Sequence, residues 1–295
     1  MIVTTTPTGQ IGRRLVARLL AQDEQLRVIV RDAARLDGAI RDRVQIVEGS
    51  HDDPVVLDKA LAGADALFWL VPPNPTAPSA AEHYLAFARA GAAAIARNGT
   101  PHVVGVTSAG HDFEGSAGVL SAAFRMDSEL AASGAPYRAL SLPFYMENLL
   151  GQLDAIRDEG AFYLTCAADQ PLASIATRDI AEHAADLLTD RSWTGQENVP
   201  VFGPDRLTPD EMAAVIGEEL GRPVSYRRIT MDDFASMLRS RGASDQAVQD
   251  MTEMFAAQDN GIYDADWATA KIAATDFRTW CREVLRPSAL GDDDR

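Results

Sequence analysis

Anion binding is the first chemistry that the residues suggest. In Thr6-Pro7-Thr8-Gly9-Gln10-Ile11-Gly12, two glycines follow a β-branched run at 2–6 and open a stretch where Ile11, Leu15, Leu19 and Leu20 recur at helical spacing. Such a strand-to-helix turn offers a phosphate the unpaired N–H groups and the positive dipole end of the helix. Gly9 would let the backbone approach the phosphate, and Gly12 would let the helix pack close to the sheet. Thr5, Thr6 and Thr8 could donate from their hydroxyls. Thr6 stands where such loops commonly carry a first glycine.

The end of the second apolar run, 26–30, bears on which dinucleotide the loop would serve. An Asp or Glu there would accept from the ribose 2′-hydroxyl of NAD. Here Val30 is followed by Arg31, with Arg35 four residues on. Guanidinium groups suit the 2′-phosphate of NADP through paired, charge-assisted hydrogen bonds, so NADP (NADPH) is the expected cofactor. Two plainer possibilities stay open. Arg31 could pair with Asp32 or Asp37, and Asp32 could itself hold a ribose hydroxyl.

Side chains suited to proton transfer or substrate contact cluster after the later strands. Val71, Pro72 and Pro73 close the run at 66–71, and Thr107 and Ser108 end the run at 103–107, where a nicotinamide would lie. His111 follows in a glycine-containing loop. Tyr145 and Asn148 come just after the run at 137–142 and Pro143, at the mouth of the expected cleft. Ser108, His111 and Tyr145 are the catalytic candidates, with Tyr145 and Asn148 lining the substrate. Each also has a structural alternative: strand stop for the prolines, turn former for Ser108, exposed loop residue for His111, packing for Tyr145, backbone capping for Asn148. Glu147 reads as structural.

What is missing narrows the chemistry. A Tyr-x-x-x-Lys pair uses the lysine to lower the tyrosine pKa. The chain has two lysines, Lys59 and Lys271, preceded at four residues by Val55 and Trp267. Ordinary alcohol dehydrogenase or sugar epimerase chemistry is therefore disfavoured. Acceptors that delocalise their own charge after hydride addition, such as quinones and enones, remain. His51, Asp52 and Asp53 are adjacent on a turn and do not make a metal site. Thr107-Ser108-Ala109-Gly110 lacks the G-x-S-x-G context of a serine hydrolase.

These residues need a parallel sheet to bring them together. Strand and helix signals alternate through the first two-thirds of the chain, with further strands expected at 44–47 and helices at 55–61, 80–97, 120–132 and 178–188. The helix at 80–97 should stop at Asn98-Gly99. Thr208-Pro209-Asp210-Glu211 is a strong helix start. A strand is expected at 224–229 and helices near 230–241, 244–258 and 275–285. Met251, Met254 and Phe255 form a stripe that would pack the lobe or wall a greasy substrate site. The expected fold is α/β: a Rossmann doubly wound parallel sheet over 1–160 with a segment returning at 170–205, and a small, mostly helical substrate-binding lobe at 206–290.

The 295 residues carry a net charge of −16, which argues against a nucleic-acid partner. No run is long and apolar enough to span a membrane, and the strand pattern from Ile2 leaves no room for a signal peptide. Cys166 and Cys281 read as two reduced, inert thiols of a cytoplasmic protein. The acidic end at 291–295 reads as a frayed tail.

Taken together, TTPTGQIG at 5–12, VRD at 30–32, LVPP at 70–73, TSAG at 107–110, SGAPYRALSLPFYMENL at 133–149, TRDIAEHAADLL at 177–188 and FGPDRLTPDEMAAVIGEELGRPV at 202–224 resemble the NmrA-like branch of atypical short-chain dehydrogenases. The likeness is greatest to its NAD(P)H-binding, type-2 quinone oxidoreductase members, over roughly residues 1–225. It implies a Rossmann body, a small C-terminal lobe, NADPH across the strand ends and a polar residue such as Ser108 near the nicotinamide. Relatives often carry a lysine in the helix after the fifth strand. The stretch 122–129 has none, and Arg125 is the nearest cation. The branch holds reductases and also NADP-sensing regulators. The expected function is NADPH-dependent reduction of a small apolar or aromatic carbonyl, quinone or enone. The alternatives are a sensor, with a homodimer or protein partner, and a redox-neutral isomerase or lyase.

Overall fold

The computed structural model describes residues 1–74, 76–99 and 102–291; the acidic tail at 292–295 lies outside the described residues. Short apolar strands alternate with amphipathic helices, as the periodicity predicts. β1 (Ile2–Thr4) leads to α1 (Gln10–Ala21), and β2 (Leu26–Val30) through the one-turn α2 (Gly38–Arg41) to β3 (Gln45–Glu48). α3 (Pro54–Leu61), β4 (Ala66–Trp69), α4 (Ala80–Asn98), β5 (His102–Ser108), α5 (Val119–Ala131) and β6 (Tyr137–Leu142) continue the pattern. α4 stops at Gly99, whose left-handed backbone makes the expected C-cap.

The chain then makes short strands that periodicity does not reveal: β7 (Phe144–Tyr145), β8 (Ala161–Leu164) and β9 (Leu172–Ile175). α6 (Thr177–Thr189) and β10 (Gln196–Phe202) return to the body. β11 (Arg206–Leu207), α7 (Pro209–Leu220), β12 (Ser225–Arg228), α8 (Met231–Ser240), α9 (Asp245–Asp259), α10 (Asp264–Trp267), β13 (Lys271–Ile272), α11 (Phe277–Trp280) and α12 (Arg286–Leu290) complete it. Thr208 and Glu211 form the expected capping box at the start of α7.

The main sheet has eight strands in the order β13-β10-β6-β5-β4-β1-β2-β3. Every pairing in it is parallel. Side chains alternate across the sheet. Phe68 joins Leu15, Leu19, Ile180 and Leu188 under α1 and α6. Leu67 and Trp69 join Leu57, Ala88, Ile95 and Leu130 under α3, α4 and α5. The expected α/β, doubly wound Rossmann architecture is therefore observed. Strand order reverses between β1 and β4, where dinucleotides bind in such sheets.

Two details differ from the expected organisation. β7 and β9, inside the stretches assigned to the body, pair with each other, and β9 also pairs with β11; β8, between those stretches, pairs with β12. The lobe thus includes much of 144–175, and it carries small sheets as well as helices. Its own core contains Met146, Ile156, Phe162, Met212, Ile216, Phe277 and Trp280. Conversely β13, from the expected lobe, pairs with β10 at the edge of the main sheet. Pairings of two to four residues between distant segments leave too little pattern to read locally.

His51 illustrates how tightly the body is packed. Its ring lies 5.1 Å from Trp69 and 4.6 Å from Phe87. Burial lowers its pKa from 6.5 to about 4, against the opposing influence of Asp52 and the Leu70 backbone. The unfolded chain therefore takes up a proton near pH 6.5 that the folded chain refuses until about pH 4. Above pH 6.5 the group has no effect. As pH falls from 6.5 to 4, it should destabilise the fold by up to about 3 kcal/mol. Denaturant unfolding across this range should show a shallower loss for His51→Phe than for the unaltered chain. Parallel losses would contradict the assignment.

Candidate functional site

The turn between β1 and α1 is held from below and open above. Thr5, fully buried, donates its hydroxyl to the Leu70 carbonyl and accepts from the Leu70 N–H at 2.9 Å. It stitches β1 to β4 at the switch point, so it is not a phosphate donor, contrary to expectation. Thr6 adopts φ +50, a left-handed conformation that costs a β-branched residue energy. The backbone thus keeps the shape of a loop glycine although a threonine occupies the position. The Thr6 carbonyl accepts from the Gly9 N–H at 3.1 Å.

Gly12 is essential to this shape, but not through the contact expected. A Cβ there would lie 2.1 Å from the Thr6 carbonyl oxygen and 3.1 Å from the Pro7 Cα. The close approach is between helix and loop rather than helix and sheet. A Cβ on Gly9 would meet only an ordinary contact at 3.5 Å. Gly9 is the N-cap of α1 and supplies no side-chain cap, and no acidic residue stands in the first turn. Among the described residues, nothing accepts from the N–H groups of Gln10, Ile11 and Gly12. That donor set and uncrowded approach fit a diphosphate. Thr8 is exposed beside it.

At the end of β2, the alternatives for Arg31 separate. Asp32 accepts from the Ala34 N–H and Asp37 from the Ala39 N–H, so both carboxylates cap local turns. Arg31 and Arg35 are exposed, and neither makes an ion pair among the described residues. Two free guanidiniums beside an open helix N-terminus fit a phosphorylated ribose.

The other candidates gather at the C-terminal ends of β4–β6. β4 ends at Trp69, and Val71 is buried while Pro72 and Pro73 are exposed. Thr107 and Ser108 are buried at the end of β5, with the Ser108 hydroxyl donating to the Ala109 carbonyl. Asn148 is exposed, in the turn after Tyr145. Burial pushes the Tyr145 phenol well up, reinforced by Tyr84, Tyr263 and Glu147. Burial alone pushes Tyr84 up to about 12. Burial also raises Tyr263, against the opposing influence of Ser108 and of its hydrogen bond from Gln258. Tyr145 is thus electrostatically coupled to Tyr84 and Tyr263. Tyr84 and Tyr263 were not anticipated. Tyr84 sits on the buried face of α4 at a spacing shared with Ala88, Gly91 and Ile95, which reads as packing. Tyr263 reaches the site from the distant lobe.

His111, a catalytic candidate, is not the exposed loop residue of its plainer alternative. Its Nε2 lies 3.1 Å from Asp127 Oδ2, its side chain is 18% exposed, and its ring packs 4.2 Å from Phe124. Asp127 also accepts from the Tyr137 hydroxyl at 2.5 Å. Glu147, read as structural, accepts from the Thr177 N–H and hydroxyl at 2.9 and 2.6 Å.

The lobe closes over these strand ends. Asp250 of α9 accepts from the Ala80 N–H at the start of α4, and Asp266 accepts from the Gly110 N–H at 2.6 Å. Gly110 has φ +98, and a Cβ there would strike Ile262. Within the lobe lies a cavity of about 450 Å³, walled by Phe144, Leu164, Leu172, Phe255 and Tyr263. Met254 packs against the cluster of Ala117, Leu120, Ala257 and Ile262, and Phe255 packs edge-on against Phe234 while lining this cavity.

The NmrA-like family model matches residues 1–280. The chain belongs to the NmrA-like family. It is 30% identical over 258 residues to an NAD(P)H azoreductase of Xenophilus azovorans, covering 87% of this chain and 86% of that one. It is 25% identical over 287 residues to quinone oxidoreductase 2 of Escherichia coli, covering 96% and 97%. The fold matches that of the Escherichia coli NADPH-dependent quinone oxidoreductase complexed with NADPH, with a TM-score of 0.74 at 22% identity over 97% and 98% of the two chains. The resemblance carried by the motifs at 5–12 through 202–224 is thus upheld. No described helix of this NmrA-like chain is long and apolar enough to cross a membrane. No group of three or more possible metal ligands occurs among the described residues.

The Thr6–Gly12 contact makes a prediction. Gly12→Val should displace the loop, abolish dinucleotide binding and cost about 1–3 kcal/mol by overpacking. Thr6→Gly should keep binding and raise stability by up to about 1 kcal/mol by relieving the left-handed threonine. Calorimetric titration and thermal unfolding of both variants check this. Normal binding by Gly12→Val would refute the loop assignment.

Proposed function

We propose that this chain is an NAD(P)H-dependent oxidoreductase that uses NADPH to reduce a small apolar or aromatic quinone, enone or related acceptor. The observation that carries the reading is the uncapped, uncrowded α1 N-terminus at the point where strand order reverses, with Arg31 and Arg35 exposed after β2. The reductase names of its relatives support it. A cavity reaching Tyr263 also speaks for turnover over a purely sensing role.

In this reading, the N–H groups of Gln10, Ile11 and Gly12 hold the diphosphate, with Thr6 and Thr8 beside it. Arg31 and Arg35 hold the 2′-phosphate. Val71, Pro72, Pro73, Thr107 and Ser108 border the nicotinamide, and Tyr145 and Asn148 face the acceptor. The reduced cofactor supplies hydride when bound. The body around 1–143 then binds the cofactor, and the lobe supplies the acceptor's walls.

The chain's own groups are poor proton donors. Ionisation of Tyr145 is suppressed by burial, the Ser108 hydroxyl is committed to Ala109, and the His111 Nε2 is engaged by Asp127. These residues position the acceptor, and solvent supplies any proton it needs. Positioning then carries most of the rate.

Two predictions follow from these assignments. NADPH should bind roughly 10–150-fold more tightly than NADH, since the charge-assisted contacts are worth ~1.5–3 kcal/mol. Arg31→Ala should remove most of that preference while leaving NADH binding nearly unchanged. Equal affinities in calorimetry would overturn the NADP assignment. NADPH oxidation should be measurable with quinones or conjugated enones and weak with simple ketones. Ser108→Ala, His111→Ala and Tyr145→Phe should each lose less than about tenfold in kcat. A loss of ~10²–10⁴-fold in one, with NADPH affinity intact, would instead identify a general acid. NADPH binding without oxidation across a broad acceptor panel would count against the oxidoreductase reading.

A further inference from the structure

The lobe cavity has a definite electrostatic character. Its walls are apolar or aromatic: Phe144, Leu164, Pro171, Leu172, Phe255 and Tyr263. Its charged lining residues are Arg206, Asp259 and Asp264. Arg206 is already committed: it bonds Asp264 at 2.5 Å and its guanidinium lies over the Trp267 ring at 5.2 Å. Asp259 is left at the rim, exposed, with no hydrogen bond or ion pair to its carboxylate among the described residues. Partial burial raises the Asp259 carboxyl above its ordinary value, and the opposing influence of Arg228 is smaller. Tyr263 connects the cavity to the strand ends, because its ring packs against the cluster of Ala109, Ala173 and Phe202 while its hydroxyl accepts from Gln258 at 2.9 Å.

We infer that this cavity is the acceptor pocket and that Asp259 makes it selective for flat aromatic cations over aromatic anions. The inference rests on the proposed oxidoreductase reading and names the substrate class of that same site. The net negative charge of the lining attracts a cation and repels an anion, and the aromatic walls add stacking and cation–π attraction. The overall charge of −16 acts in the same direction at longer range. The chemistry agrees with the absence of a side-chain acid. Hydride transfer from a reduced nicotinamide to a cationic carbon breaks one C–H bond and forms another. The acceptor becomes neutral, the nicotinamide becomes the cation, and no proton is consumed. Neutral quinones remain acceptors in this account, with water as their proton source.

The test is direct binding, independent of turnover. N-Methylquinolinium and 2-naphthoate are both flat two-ring probes, one cationic and one anionic. Each is titrated calorimetrically into the full chain in the presence of NADP⁺. The cation should bind about tenfold more tightly, as expected when one partly exposed carboxylate attracts one probe and repels the other. Asp259→Asn should reduce that ratio to about twofold or less. Asp42→Asn, which removes the same charge beside α2 at the far edge of the sheet, should leave it unchanged. Phe255→Ala should weaken both probes together. Naphthoate binding as tightly as the cation, a ratio unaffected by Asp259→Asn, an equal effect of Asp42→Asn, or no binding of either probe would each overturn the inference. The oxidoreductase reading fails separately, by an absence of NADPH oxidation with any acceptor.

Discussion

The contact between the Thr6 carbonyl and the Cβ-less face of Gly12 is the constraint on which the site depends. Only glycine lets the loop fold down against the first turn of α1. With the loop folded in this way, the N–H groups of Gln10, Ile11 and Gly12 remain unpaired and uncovered. A bulkier residue at position 12 would move the loop and close the approach. Thr6 shows how firmly the geometry is imposed, since a β-branched residue is held at positive φ to maintain it. The Thr5–Leu70 hydrogen bonds then fix this turn to the end of β4, so the two share one rigid edge.

Buried carboxylates do the corresponding work on the lobe. Asp250 caps α4, Glu147 holds Thr177 at the start of α6, and Asp179 accepts from the Thr275 N–H and hydroxyl at 3.1 and 2.8 Å. Each satisfies backbone donors that would otherwise be stranded where the lobe meets the body. These anions are therefore occupied by structure. Asp259 differs because its carboxylate has no such partner among the described residues, and it stands at the cavity rim. Tyr145, Tyr84 and Tyr263 supply polar edges at the strand ends without supplying a ready acid, since burial disfavours ionisation of all three.

Much of this was legible in the chain because it depends on local pattern. Apolar runs of four to seven residues separated by amphipathic stretches gave the sheet, and the glycine spacing at 9 and 12 located the turn. The place of Arg31 was readable because it depends on one position after an apolar run. The readable features stop where long-range pairing begins. β7, β8 and β11 are too short to show a period, and their partners lie up to 64 residues away in the case of Ser225 and Ala161. The His111–Asp127 pair left one overlooked signal: Asp127 falls among Ala123, Met126 and Leu130 on the buried face of α5, where a carboxylate needs a partner. Tyr263 left none, because its role arises only when the lobe folds back over β5.

The central claim is that the switch point between β1 and β4 binds NADP through the α1 N-terminus and the arginines that follow β2. A crystal structure of the chain with NADP⁺ tests this most directly. The account predicts the diphosphate on the N–H groups of Gln10, Ile11 and Gly12, the 2′-phosphate within hydrogen-bonding distance of Arg31 or Arg35, and the nicotinamide beside Ser108. A dinucleotide bound elsewhere, or a 2′-phosphate that contacts neither arginine, would contradict it.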